Sequence, residues 1–256
     1  MKQNIKNTKV SETKLHFDMK KEKYRFIEEF DPVRKRRIIE KSRSLSGIIP
    51  SQKNGKGVWF ESALERDFAL ILENIPSVSM YQEQPVTIEY YHNGKTRTYT
   101  PDFLVTFSDN SQTPWLCEVK YRSDLRSQFG KYKPKFRAAQ NYCVQERWEF
   151  KIFTEHYIRT PFLENINFLS RYNYNELDGA CYEMVIRTIS DLGDTTPYEF
   201  MLTIQDAEFN LKGRCLYALW YAIKMEDIGC DIVNERISMN SEIWISERLN
   251  FNPQEE

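Results

Sequence analysis

Histidine and cysteine are scarce in this chain. There are three histidines, and the five cysteines, at positions 117, 143, 181, 215 and 230, lie far apart with no Cys-x-x-Cys pair. Zinc centres and disulfide frameworks are built from clusters of these side chains, so neither is expected. Long apolar runs are missing too: none approaches the ~20 residues that span a bilayer. The opening stretch, residues 1–14, has no apolar segment of the kind that marks a secretory leader. A soluble protein of the cytosol is the expectation. Apolar residues make up 41% of the 256, enough for a real core in one large domain or two small ones, and wholesale disorder is disfavoured.

Net charge is nearly absent as well, at −1, but the balance hides an asymmetry. Residues 1–57 carry 16 Lys/Arg against 7 Asp/Glu, whereas residues 171–256 carry 7 against 16. The segment between them is close to neutral. A basic arm and an acidic end on one chain suggest two different partners. The arm holds Arg34, Lys35, Arg36, Arg37, Lys41, Arg43 and Lys53 among Gly and Ser punctuation, which reads as loosely structured chain able to neutralise phosphates. A merely solvated basic run would look the same.

From residue 58 the pattern becomes regular. Leu64, Phe68, Ile71, Leu72 and Ile75 make one apolar stripe at helical spacing, with Pro76 to stop it. Two β-rich runs flank Asn93-Gly94, a strong hairpin signal. Residues 102–107 and 115–121 read as strands, about 133–147 as a helix with Phe136, Gln140, Cys143, Val144 and Arg147 on one side, and 149–154 as a last strand. That order is an α/β unit, expected over 58–170. Beyond it come short helices: one ending at Gly193, one opened by Thr196-Pro197, and one over about 212–228 with Gly229 as its C-cap. Ile232-Val233 and Ile243-Trp244-Ile245 follow as short strands. Three helices and a terminal hairpin suggest a winged-helix-type domain over 171–256.

The chemistry-bearing residues are Asp102, preceded by Pro101, and Glu118-Val119-Lys120. Residues two apart on a strand share a face, so Glu118 and Lys120 project together. With Asp102 on a neighbouring strand, three ionisable groups converge. Two carboxylates can hold Mg²⁺ or Mn²⁺ through hard oxygen ligands, and a lysine can orient water or neutralise charge developing on a phosphate. An exposed strand face with a surface ion pair is the plain alternative. Glu65, on the flank of the first helix, could complete a metal site. Ser62-Ala-Leu-Glu65 also fits a capping box, and spacing alone favours the cap. Beyond Lys120, the cations Arg122, Arg126, Lys131, Lys133, Lys135 and Arg137 face one acid, Asp124, with Tyr121, Phe129 and Tyr132 interleaved. That mixture suits a DNA groove beside a nuclease site.

Assembled in order, several segments resemble the TnsA family, the restriction-enzyme-like endonuclease subunits of heteromeric Tns-type transposases. They are Arg36-Arg37 with Gly47-Ile-Ile-Pro50, Phe60-Glu-Ser62-Ala-Leu-Glu65, Tyr81-Gln-Glu-Gln84-Pro85, Tyr99-Thr-Pro101-Asp102-Phe103 and Cys117-Glu118-Val-Lys120. The resemblance implies a restriction-endonuclease-like PD-(D/E)xK core followed by a mostly α winged-helix-type domain. It implies divalent metal, Mg²⁺ with Mn²⁺ as a substitute, at Glu65, Asp102, Glu118 and Val119, and Lys120 as the catalytic lysine. That reverses the preference for Glu65 as a mere cap. Some relatives have Gln where this chain has Glu118. The family's role implies cutting of the non-transferred strands near the 5′ ends of a transposon. Its partners would be transposon-end DNA, a TnsB-like DDE transposase and a TnsC-like AAA+ ATPase. The acidic 171–256 is then expected to bind protein rather than DNA. Alternatives are a stand-alone restriction or repair nuclease and a non-catalytic DNA-binding assembly module.

Overall fold

The computed structural model describes residues 45–247. Arg34, Lys35, Arg36, Arg37, Lys41 and Arg43 lie outside the described residues. The chain opens with a hairpin, β1 (Gly47–Ser51) against β2 (Lys56–Phe60). Loosely structured chain was expected as far as Gly57, but the regular fold begins ten residues earlier. The reason is apolar alternation: Ile49, Val58 and Phe60 are buried against the next helix. That helix, α1 (Ala63–Asn74), carries the expected stripe into the core and ends before Pro76.

Next come β3 (Val78–Glu83) and a second hairpin, β4 (Ile88–His92) with β5 (Lys95–Tyr99). Its two-residue loop is Asn93-Gly94, both at positive φ (52° and 74°), as the tight turn between twisted strands requires. Strands β6 (Phe103–Phe107) and β7 (Trp115–Val119) follow, then helices α2 (Arg122–Ser127) and α3 (Phe129–Glu146), and strand β8 (Glu149–Phe153). One four-stranded sheet results, in the order β3-β6-β7-β8, antiparallel except for β7 and β8. The β7–α3–β8 passage is the crossover that a parallel pair needs.

Alternation on the strands builds two cores. Phe103, Val105, Cys117 and Val119 pack toward α1, whereas Leu116 faces α3 and the second hairpin, beside Tyr90 and Tyr99. Helix α3 begins earlier than its sequence signals and keeps Pro134 inside it. Its buried stripe is Tyr132, Phe136, Ala139 and Cys143, while Val144 and Arg147 are exposed, contrary to expectation. Arg147 is the C-cap, in the left-handed region at φ 59°, so helical spacing no longer places it on the stripe.

Two further helices close the first half, α4 (Glu155–Ile158) and α5 (Pro161–Leu169). The rest is α6 (Gly179–Leu192), α7 (Pro197–Thr203), α8 (Phe209–Lys224), and a short antiparallel ribbon of β9 (Ile228–Cys230) and β10 (Ile243–Ile245). As expected, Gly193 caps α6 and Thr196 caps α7, its hydroxyl accepting from the Glu199 N–H ahead of Pro197 at the first turn. Gly229 is not a helix cap. The α8 helix ends at Met225 with Glu226 at φ 62°, and Gly229 lies in β9, paired with Trp244, whose indole occupies the space a Cβ would take. The expected strand at Ile232-Val233 is a turn, pinned by Asp231 accepting from the N–H groups of Val233 and Asn234. No helix among the described residues is long and apolar enough to cross a membrane.

Candidate active site

Strands β6 and β7 separate at the residues singled out in the sequence. Continuing their register past Phe103–Cys117 would set Pro101 against Val119. Proline has no N–H to give to a ladder, so the pairing stops there. The Val119 N–H donates instead to the Asp102 carboxylate, at 2.7 Å from Oδ2. The Pro-Asp dipeptide thus both opens the gap and fixes the acid that lines it. Beyond the gap β7 still follows β8, with Lys120 N–H donating to the Phe153 carbonyl.

Three oxygens converge on the Lys120 ammonium. The Asp102 carboxylate lies 3.2 Å away, the Glu118 Oε1 3.2 Å, and the Val119 carbonyl oxygen 3.0 Å. Glu118 is almost wholly buried, and its other oxygen, Oε2, accepts a 2.6 Å hydrogen bond from the Tyr99 hydroxyl. One oxygen is therefore tethered to the hairpin and the other turned to the gap. Burial pushes the Glu118 carboxyl up to about 7, with Asp102 adding to the rise and Lys120 and Tyr99 opposing it. Burial also pulls on Lys120, but Asp102 and Glu118 outweigh it and hold the ammonium above its ordinary value. Burial, then the charge of Glu118, raise the Tyr99 phenol, so it remains a donor.

Glu65 enters from the far side of the sheet, at the first turn of α1. Its own N–H donates to the Ser62 hydroxyl at 3.1 Å. Its carboxylate accepts from the Glu61 N–H at 2.8 Å and from the Ser62 hydroxyl at 3.0 Å. This is the capping box, with the return bond falling one residue earlier than the usual N-cap N–H. The same carboxyl is raised to about 7, first by burial and then by Asp102, so it lies within electrostatic reach of Asp102 while its oxygens serve the cap. Among the described residues no three His, Cys, Asp or Glu side chains stand ready to hold one ion. The four expected groups thus divide into a gathered set, Asp102, Glu118 and Lys120 around the Val119 carbonyl, and a neighbour, Glu65.

The donor chemistry fits a hard divalent cation. Two carboxylates and a backbone carbonyl already surround one positive charge, and oxygen ligands are what Mg²⁺ and Mn²⁺ select. Of the expected DNA contacts, Arg122, Arg126, Lys131 and Lys133 lie exposed on α2 and the start of α3, directly after Lys120. Lys53 has a different engagement. Its ammonium donates to the Leu72 and Ile75 carbonyls, satisfying the end of α1, and it lies beside Glu73.

Several neighbours of the site have contacts there that the sequence does not assign. Tyr99 is the only buried residue of β5 and stands three residues before Asp102, so hairpin alternation could have pointed to it. Asp67 is buried in α1 and bonds the guanidinium of Arg159, which also lies over the Tyr121 ring and donates to its hydroxyl at 3.0 Å. This clasp ties the helix of Glu65 to the residue after Lys120. It spans 92 positions and leaves no local signal.

A mixed sheet flanked by helices, with acids and a lysine gathered where its central strands part, fits the restriction-endonuclease-like class. Residues 75–155 match the family described as TnsA-like endonuclease N terminal, so the chain carries a TnsA-like domain. The match runs from just before β3 into α4, taking in Asp102, Glu118 and Lys120 and stopping short of Glu65. No curated protein matches the chain.

Proposed function

We propose that this chain is the metal-dependent endonuclease subunit of a cut-and-paste transposase, hydrolysing the non-transferred strands near the 5′ ends of the element. The family match supports the endonuclease role. The observation that carries the chemistry is the convergence of Asp102, Glu118 and the Val119 carbonyl on one cationic group. Asp102, Glu118 and the Val119 carbonyl would hold Mg²⁺ or Mn²⁺, with Glu65 joining once its carboxylate leaves the cap. The ion would supply Lewis acidity at the phosphoryl oxygen and an acidified water. Tyr99 keeps Glu118 turned toward the gap. Lys120, freed from the acids, would stabilise the negative charge that grows on the phosphorane-like oxygens. Exposed cations on α2 and α3 would hold the strand by its phosphates.

The acidic second half, with three helices and a ribbon in winged-helix-type order, is read as a protein-docking module. A basic surface of a DDE transposase or an AAA+ ATPase would complement it. Asp102→Ala tests the whole reading with transposon-end DNA, the partner transposase and Mg²⁺ present. End cutting should fall at least about 10³-fold while assembly persists. Unimpaired cutting would overturn the site. Cutting of arbitrary DNA by the wild-type chain alone would favour a stand-alone nuclease. Assembly without any cutting by wild type would leave a non-catalytic module.

A further inference from the structure

Lys135 belongs by sequence to the run of cations after Lys120, but it projects from α3 toward the gap and sits differently from its exposed neighbours. Its ammonium lies over two aromatic rings, 5.2 Å from the centre of Tyr99 and 4.7 Å from that of Tyr132. Both rings belong to the buried cluster under the second hairpin. The side chain is half-buried, and burial draws its pKa down from the ordinary lysine value. Glu118 and Asp102 attract it from across the gap, and Lys120 and Lys131 repel it. Yet no carboxylate forms an ion pair with it among the described residues. Glu118 gives its two oxygens to Tyr99 and Lys120, and Asp102 gives its Oδ2 to Val119 and Lys120.

A partly desolvated cation without a counter-ion is unfavourable unless an anion arrives. The rings offer partial compensation and also fix where the charge points. The helix places it one turn beyond Lys131, on the face of that exposed cation. We propose that Lys135 is a phosphate-binding residue that grips the DNA strand lying in the gap, next to the acid cluster. The inference rests on the nuclease reading only in taking DNA as the anion. Its chemistry is a point charge against a phosphodiester, and Tyr99 links it to the acids by supporting Lys135 with its ring while its hydroxyl orients Glu118.

The test uses the full chain and a fluorescently labelled duplex, with anisotropy followed over a salt series, and Mn²⁺ binding measured by calorimetry. Lys135→Met should weaken duplex binding about fivefold and make the log–log salt dependence shallower by about one unit. Lys135→Arg should restore the slope. Mn²⁺ should bind the Met variant as tightly as wild type or slightly better, because a neighbouring positive charge has gone. Unchanged duplex affinity and slope would overturn the proposal whatever happens to Mn²⁺, and a raised Mn²⁺ affinity beside them would make Lys135 a mere counter-charge to the acids. Neither measurement depends on cutting. A wild-type chain that never cuts would sink the nuclease reading and leave this one standing on the salt slope.

Discussion

The two halves of the molecule treat buried charge in opposite ways. Around the sheet, Asp67, Glu83 and Glu118 are all buried, and one oxygen of Glu83 has no hydrogen-bond partner. Past residue 170 the one buried polar residue among those described is Thr195, and the core is Val185, Ile189, Phe200, Leu219 and their neighbours. Burying a carboxylate is unfavourable, so a fold keeps such groups where something other than stability needs them. The second half has no such need inside, and among the described residues its charges, mostly acidic, stay on the surface. One region buries ionisable groups, and the other keeps an apolar interior with its charges outside.

That contrast can be broken by experiment. The largest stability effect should come from the apolar half. Phe200 is fully buried, and Phe200→Ala should destabilise the protein by about 3–5 kcal/mol in denaturant titrations. Metal affinity of the remaining folded protein should be unchanged. A comparable loss of metal binding would show that the two halves are one chemical unit.

A second test reads the buried acids directly. Burial holds the Glu65 and Glu118 carboxyls at about 7, and to bind the proposed cation they would have to lose their protons. Mn²⁺ affinity should therefore fall as pH drops from 8 to 6, by up to about tenfold per pH unit for each proton displaced. The sign for stability is opposite. Carboxyls raised above their unfolded values stabilise the metal-free fold below the unfolded range, and that contribution is lost as pH rises through about 7. Thermal melts without metal should thus weaken between pH 5 and 8, and added Mn²⁺ should reverse the trend. A flat pH profile would mean the acids are not a metal site.

The smallest effect sharpens the comparison most. Tyr99→Phe removes one hydroxyl from beneath Glu118 and should weaken Mn²⁺ binding about tenfold, as outer-shell partners commonly do. The matched control is Tyr182→Phe in the helical half, where the hydroxyl bonds Asp227 at 2.5 Å. Equal calorimetric titrations for both variants would remove Tyr99 from the site.

Much of the sheet half was legible because its signals are local. The stripe of α1, the Asn93-Gly94 turn and the two-residue alternation of Glu118 and Lys120 each state one geometry, and the fold adopts it. Pro101-Asp102 was legible as a motif but not as a device, since the parting of β6 from β7 depends on which residue would have faced Val119. Glu65 carried two readings, a cap by spacing and a ligand implied by resemblance, and the cap is what its hydrogen bonds form. The structure puts its oxygens on the cap and its charge near Asp102. The misreadings share one cause. Gly229 looked like a helix end because no sequence pattern shows that Trp244 covers it. Ile232-Val233 looked like a strand because the turn there is set by Asp231 side-chain bonds. The Asp67–Arg159 clasp joins distant segments, which composition and spacing do not encode, whereas Tyr99 lay within reach of hairpin alternation.

Helix α5 has a practical consequence for anyone dissecting this protein. Leu163 and Ile166 belong to the sheet core, and Leu169 to the helical one. Between them, Asn165 donates to the Ile232 and Glu235 carbonyls and accepts from the Ile237 N–H. A fragment beginning at residue 171 would start life with an open seam and three orphaned backbone groups. Stickiness in such a piece would report the scar rather than a natural contact, so a faithful excision has to carry α5 with it.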